Sequence, residues 1–195
     1  MLDKFGRNID YLRISITDRC NLRCKYCMPA GCDMVGHEDI LSYEELLRLA
    51  RLFARTGVRH VRVTGGEPLV RKGAADFVRE LKAVPGVEKV SLTTNGTLLE
   101  KHALALAGAG LDSVNISLDT TDAALAREIT GSDGVVDAVR ASVGLMRSLG
   151  VPVKLNAVLL AETAGTVTEL ARFAEEGVPV RFIELMPMGV GRFER

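Results

Sequence analysis

Apolar and polar residues alternate one for one in six short stretches of this chain, and longer segments with a helical apolar repeat lie between them. The alternating stretches predict strands at 11–17 (YLRISIT), 59–64 (RHVRVT), 87–94 (VEKVSLTT), 113–119 (SVNISLD), 152–160 (PVKLNAVLL) and 179–185 (PVRFIEL), because side chains of period two lie on opposite faces of a strand. The clearest helix starts at Ser42, where Ser42 and Glu45 have the spacing of a capping box. Leu46, Leu49, Ala50 and Phe53 form its apolar stripe, and Gly57 stops it. Further helices are predicted over 73–83, 97–109, 122–149 (broken around Gly131 to Gly134) and 165–176.

Strand and helix in strict alternation give an α/β fold of parallel strands joined by right-handed crossovers. Parallel strands covered on both faces read as continuous apolar runs, and these do not. Leu12, Ile14 and Ile16 oppose Arg13, Ser15 and Thr17. Val61 and Val63 oppose His60, Arg62 and Thr64, and Val90 and Leu92 oppose Ser91 and Thr93. Val114, Ile116 and Leu118 oppose Asn115, Ser117 and Asp119, while Val153, Leu155 and Ala157 oppose Lys154 and Asn156. One face packs on helices and the other is polar, so it must be wet or meet a ligand. A partial (βα)6 barrel whose polar face lines a central chamber satisfies this pattern, with its chemistry at the carboxyl ends of the strands. A doubly wound sheet does not.

At 195 residues and 47% hydrophobic, the chain is read as one domain over 1–195 with one sizeable core. It carries 25 basic and 25 acidic residues. That balance argues against a nucleic-acid partner, and no run has the length of a membrane span. No secretory pattern opens the sequence, so a cytoplasmic location is expected. Charge is distributed unevenly all the same. Arg13, Arg62 and Lys154 fall on the inward parity of three different strands, which points to a phosphate or other polyanion in the chamber. Asp119 is the main carboxylate on that face.

Three of the four cysteines, Cys20, Cys24 and Cys27, fall within TDRCNLRCKYCMP, just after the first strand. Their C-x3-C-x2-C spacing suits convergence on one soft metal centre. An iron–sulfur cluster normally takes four thiolates, so three would leave one iron open to a ligand that is not protein. A zinc site completed by Cys32 or His37 is the alternative, although structural zinc usually shows two separated pairs. A disulfide is not expected in a reducing compartment. Cys32 is read as a bystander.

With Tyr26 directly before the third cysteine, this segment resembles the radical S-adenosylmethionine superfamily. There, three cysteines hold a 4Fe-4S cluster and S-adenosylmethionine chelates the open iron. Gly65-Gly66-Glu67-Pro68, at the end of the second strand, resembles the superfamily's GGE element. Glycines let backbone approach the methionine end closely, and the Glu67 carboxylate answers its ammonium.

The longer strings FGRNIDYLRISITDRCNLRCKYCMP, VRVTGGEPLVR, LTTNG, VNISLD, VKLNAVL and RFIELMPMG resemble the GTP 3′,8-cyclase family of molybdenum-cofactor biosynthesis. This resemblance implies that Tyr26, Gly66, Ser117 and Met186 contact S-adenosylmethionine, and that Arg13, Arg62, Thr93 and Lys154 contact GTP. It further implies a radical lyase that abstracts hydrogen from C3′ of GTP and closes a bond to C8, served by an electron donor. A homodimer is compatible with it. His60 stands where the family usually has lysine, which weakens a phosphate contact at pH 7. No cysteine follows Cys32 in a chain ending at Arg195. The expectation is therefore one cluster, no C-terminal second-cluster extension, and incomplete turnover by this chain alone. Another radical S-adenosylmethionine enzyme of peptide-maturase type, or a non-catalytic metal-binding remnant, are the competing readings.

Overall fold

In a computed structural model describing residues 2–28 and 35–185, six strands form one parallel sheet. They are β1 (Tyr11–Ser15), β2 (His60–Thr64), β3 (Lys89–Thr94), β4 (Ser113–Ser117), β5 (Val153–Leu159) and β6 (Val180–Glu184). The spatial order is the chain order, β1 to β6, so β1 and β6 are the two edges of an open, partial barrel. The helices are α1 (Tyr43–Arg55), α2 (Ala74–Lys82), α3 (Leu99–Gly108), α4 (Ala123–Thr130), α5 (Val135–Ser148) and α6 (Val167–Glu175).

Alternation governs the burial as expected. Ile14, Ile16, Val61, Val63, Val90, Leu92, Val114, Ile116, Leu155 and Ala157 are buried against the helices. The opposite parity forms continuous rows across the sheet. Thr93 is in register with Asn115 and Asn115 with Lys154; Ser117 pairs with Asn156, and Asn156 with Arg181. Arg13 is in register with Arg62, and Arg62 with Ser91. The face is less wet than the pattern suggests at its centre, since Ser91 and Asn115 are buried.

Helix boundaries follow local chemistry. Ser42 Oγ accepts the Glu45 N–H at 3.2 Å and Glu45 Oε2 accepts the Ser42 N–H at 2.7 Å, completing the capping box of α1. The predicted 122–149 helix is two helices, parted by Gly131 and Gly134 at φ 71° and 72°. The 165–176 helix begins later than expected, because residues 161–166 form a 3-10 turn before α6.

Candidate active site

The cysteine loop leaves β1 and is tied down on both sides. On one side, the Gly66 N–H donates to Thr17 O at 2.7 Å and the Glu67 N–H to Arg19 O at 2.8 Å. On the other, the Arg23 and Lys25 N–H groups donate to Thr130 O and Ile129 O at the end of α4. Lys25 adds ion pairs to Glu162 and Glu128. A turn closes within the loop, where the N–H groups of Cys27 and Met28 both donate to Cys24 O. The triad is thus mounted between β1, the loop after β2 and the end of α4.

Its electrostatics suit a metal. Burial pushes the Cys24 thiol up to about 12, and Asp119, Cys20 and Cys27 push in the same direction. A buried Cys24 thiolate beside Asp119 is stable as an anion only around a cationic centre, which would deprotonate it outright. The softness of the three cysteine sulfurs fits iron and sulfide. Among the described residues, no three His, Cys, Asp or Glu side chains gather as ligands of a single metal ion. Cys32 and the side chain of His37 lie outside the described residues, as does Met186.

Tyr26 and Asp119 join the loop to the sheet. The Tyr26 hydroxyl donates to Asp119 Oδ2 at 2.6 Å, and the Val158 N–H donates to Asp119 Oδ1 at 2.8 Å. Burial raises the Asp119 pKa, against the lowering effect of these two donors. The Tyr26 hydroxyl is driven upward by burial and by the Asp119 charge, so it stays a donor. Cys24, Tyr26, Ser117, Asp119 and Asn95 line one narrow cavity of about 40 Å³. The structure therefore brings Tyr26 and Ser117 together beside Cys24.

The GGEP segment is tied into the protein's own hydrogen bonds. Glu67 is fully buried. Its carboxylate accepts the Leu69 N–H at 3.0 Å, the Thr94 hydroxyl at 2.8 Å and the Asn95 N–H at 2.6 Å. Burial raises its pKa in spite of those donors. Glu67 thus fastens the end of β3 to the loop after β2. The glycines beside it also serve the protein's own backbone. A Cβ on Gly65 would stand 2.6 Å from Thr17 O, and one on Gly66 would stand 2.4 Å from Arg19 O and 2.5 Å from Asp18 O. Those carbonyls belong to the segment entering the cysteine loop.

The cations divide. Arg62 Nε donates to the Tyr11 hydroxyl, and Arg62 Nη1 donates to Thr93 Oγ1 at 3.1 Å. Arg62 and Lys154 line one cavity of about 410 Å³ with Asn115, near the amino ends of β4 and β5. Arg13 instead lines a separate cleft at the β1 edge with Leu46, Leu49 and Phe53. Sequence reasoning assigned no role to Tyr11, Asn95 or Asn115. Only inward parity marked Tyr11 and Asn115, and nothing but the TTNG string marked Asn95.

The radical SAM superfamily matches the chain over residues 14–174. A GTP 3′,8-cyclase of Moorella thermoacetica is 51% identical over 97% of this chain and 59% of its own length. That of Heliobacterium modesticaldum is 48% identical over 98% of this chain and 59% of its own length. The chain thus spans about three-fifths of the length of these curated relatives. Among solved structures, Streptococcus suis SuiB bound to S-adenosylmethionine superposes with a TM-score of 0.81 at 21% identity, covering 95% of this chain and 43% of that one. Native anSMEcpe with bound AdoMet gives 0.72 at 22%, covering 90% and 51%. At such identities the likeness concerns the fold.

Proposed function

Because the chain belongs to the radical SAM superfamily, which implies a 4Fe-4S cluster and S-adenosylmethionine, we propose that it carries the radical-generating part of a GTP 3′,8-cyclase acting in molybdenum-cofactor biosynthesis. One observation carries the proposal. Cys24, Tyr26 and Ser117 line a cavity at the carboxyl ends of the strands, and Arg62, Thr93 and Lys154 lie on the same sheet face. The likeness to the Moorella and Heliobacterium cyclases supports the substrate.

When bound, the cluster and S-adenosylmethionine supply an electron and a 5′-deoxyadenosyl radical. The chain's own residues do the rest. Cys20, Cys24 and Cys27 would hold the cluster, three thiolates for a centre that normally takes four. The close backbone at Gly65 and Gly66 and the hydroxyl of Ser117 receive the cofactor; Asp119, held by Tyr26 and Val158, keeps the cysteine loop against β4 and β5. Arg62, pre-oriented by Tyr11 and Thr93, and Lys154 hold the triphosphate, which fixes the ribose relative to the radical carbon. His60 adds less charge than a lysine at that place would. An electron donor of low potential serves the cluster, and the cytoplasm is the compartment. No helix among the described residues is long and apolar enough to cross a membrane.

The test is anaerobic reconstitution of the 195-residue chain with iron and sulfide, followed by dithionite and S-adenosylmethionine. About four irons with matching labile sulfide and the appearance of 5′-deoxyadenosine are expected. Cys20→Ala, Cys24→Ala and Cys27→Ala should each abolish both, while Cys32→Ala should keep them. Zinc without labile sulfide would refute the proposal.

A further inference from the structure

We propose that Asn95 is a positioning residue for the cluster, donating an N–H···S hydrogen bond to Cys20 Sγ and so holding the reduction potential of the cluster up. This rests on the reading above that the cysteine triad holds a 4Fe-4S cluster. The Asn95 Nδ2–Cys20 Sγ distance is 3.8 Å, suited to a large, soft acceptor. A flip of the asparagine amide would exchange Oδ1 and Nδ2. Here the orientation is fixed. Asn95 Oδ1 accepts the Thr97 backbone N–H at 3.0 Å and the Thr97 hydroxyl at 2.7 Å. A backbone N–H can only donate, so the oxygen faces Thr97 and the amide nitrogen faces the sulfur. The other Nδ2 proton goes to Asn21 Oδ1 at 2.9 Å, and Asn21 Nδ2 donates to Thr97 Oγ1 at 2.9 Å. A closed ring of three side chains therefore locks the amide.

The ring stands on a rigid base. The Asn95 N–H is held by Glu67, itself fully buried. Gly96 follows at φ +81° with its carbonyl taken by Ser142 Oγ at 3.0 Å. A Cβ there would stand 2.6 Å from Ile116, so no other residue type fits that turn. The Cys20 sulfur also accepts the Leu22 N–H at 3.4 Å. Hydrogen bonds to cluster sulfurs stabilise the more negative, reduced state above the oxidised one, because added charge spreads onto the ligands. Removing a donor lowers the potential.

The experiment is a redox titration of the reconstituted 195-residue chain, followed by paramagnetic resonance of the reduced cluster. Asn95→Ala should keep iron content and move the midpoint to a more negative value. Asn95→Asp retains an acceptor for Thr97 but turns an anion toward the sulfur, so its shift should be larger in the same direction. Thr97→Val removes the hydroxyl that closes the ring but keeps the backbone N–H to Asn95 Oδ1, so a small negative shift, well below that of Asn95→Ala, is expected. Full iron with a wild-type midpoint in Asn95→Ala overturns the inference and leaves the cluster reading standing. If Asn95→Ala cannot retain iron, an unshifted midpoint in Asn95→Asp, which keeps the side chain's size and its acceptor for Thr97 but no N–H for the sulfur, overturns it instead. Wild-type protein without iron and labile sulfide overturns the cluster reading, and this inference with it.

Discussion

Glu67 shows how much a single side chain can contradict its own neighbourhood in the sequence. Within a GGEP string it reads as a partner for an ammonium, since glutamate is almost never fully buried unless paired. What pairs it lies 27 and 28 residues further on, at Thr94 and Asn95, and nothing local announces that contact. Truncation leaves three donors without an acceptor, each costing about 1–3 kcal/mol when buried. Glu67→Ala should therefore lower the unfolding free energy by about 3 kcal/mol or more, read by urea denaturation. Glu67→Gln should cost roughly half as much. Its remaining oxygen can keep both donors now at Oε1, Leu69 and Thr94, while its amide meets the Asn95 N–H head on. Equal losses in the two variants would place the stabilisation in the charge rather than in those hydrogen bonds.

Between elements, the legible features are those with a local cause. The capping box of α1 and the break at Gly131 and Gly134 depend on residues three or four apart, and both stand in the structure as the sequence implies. Ser42→Ala should cost about 1 kcal/mol in the same urea experiment, with no effect on iron content; a neutral outcome would mean that tertiary packing alone holds α1. Strand positions were legible because a period of two survives any tertiary context. The strand ends were less so. Ile16 still donates to Thr64 O, but Thr17 O has turned to the Gly66 N–H, so the ladder gives way to the loop two residues early. That turn decides what Gly66 is for. A side chain there collides with the Asp18 and Arg19 carbonyls, one residue before Cys20. Gly66→Val, which on the sequence reading alone would block only S-adenosylmethionine, should instead lose iron as well and lower the melting temperature. Full iron content in that variant, with cofactor binding lost, would restore the simpler reading.

Over the whole molecule, a formal charge of zero conceals a sheet with one basic face. Parity alone placed Arg62 and Lys154 on it, and they do share a cavity. Parity could not tell that Arg13, on an edge strand, lines a separate cleft with α1 and is absent from the lining of the cavity that Arg62 and Lys154 share. On the function proposed above, the difference sets the expected order of effects on GTP binding. Arg62→Ala and Lys154→Ala each remove a charged donor, worth about 1.5 kcal/mol or more and hence roughly tenfold in affinity. Thr93→Val removes only the group that orients Arg62, so its loss should be smaller. Arg13→Ala should be the mildest of the four. All binding should weaken as salt rises, since the screening length falls to about 8 Å at physiological ionic strength and the chamber opens to solvent between β1 and β6. Equilibrium dialysis of GTP against the 195-residue chain at low and high salt reads every term of this ordering. Salt-independent binding, or wild-type affinity in both Arg62→Ala and Lys154→Ala, would remove the triphosphate from this chamber. A dominant effect of Arg13→Ala would move it to the β1 edge.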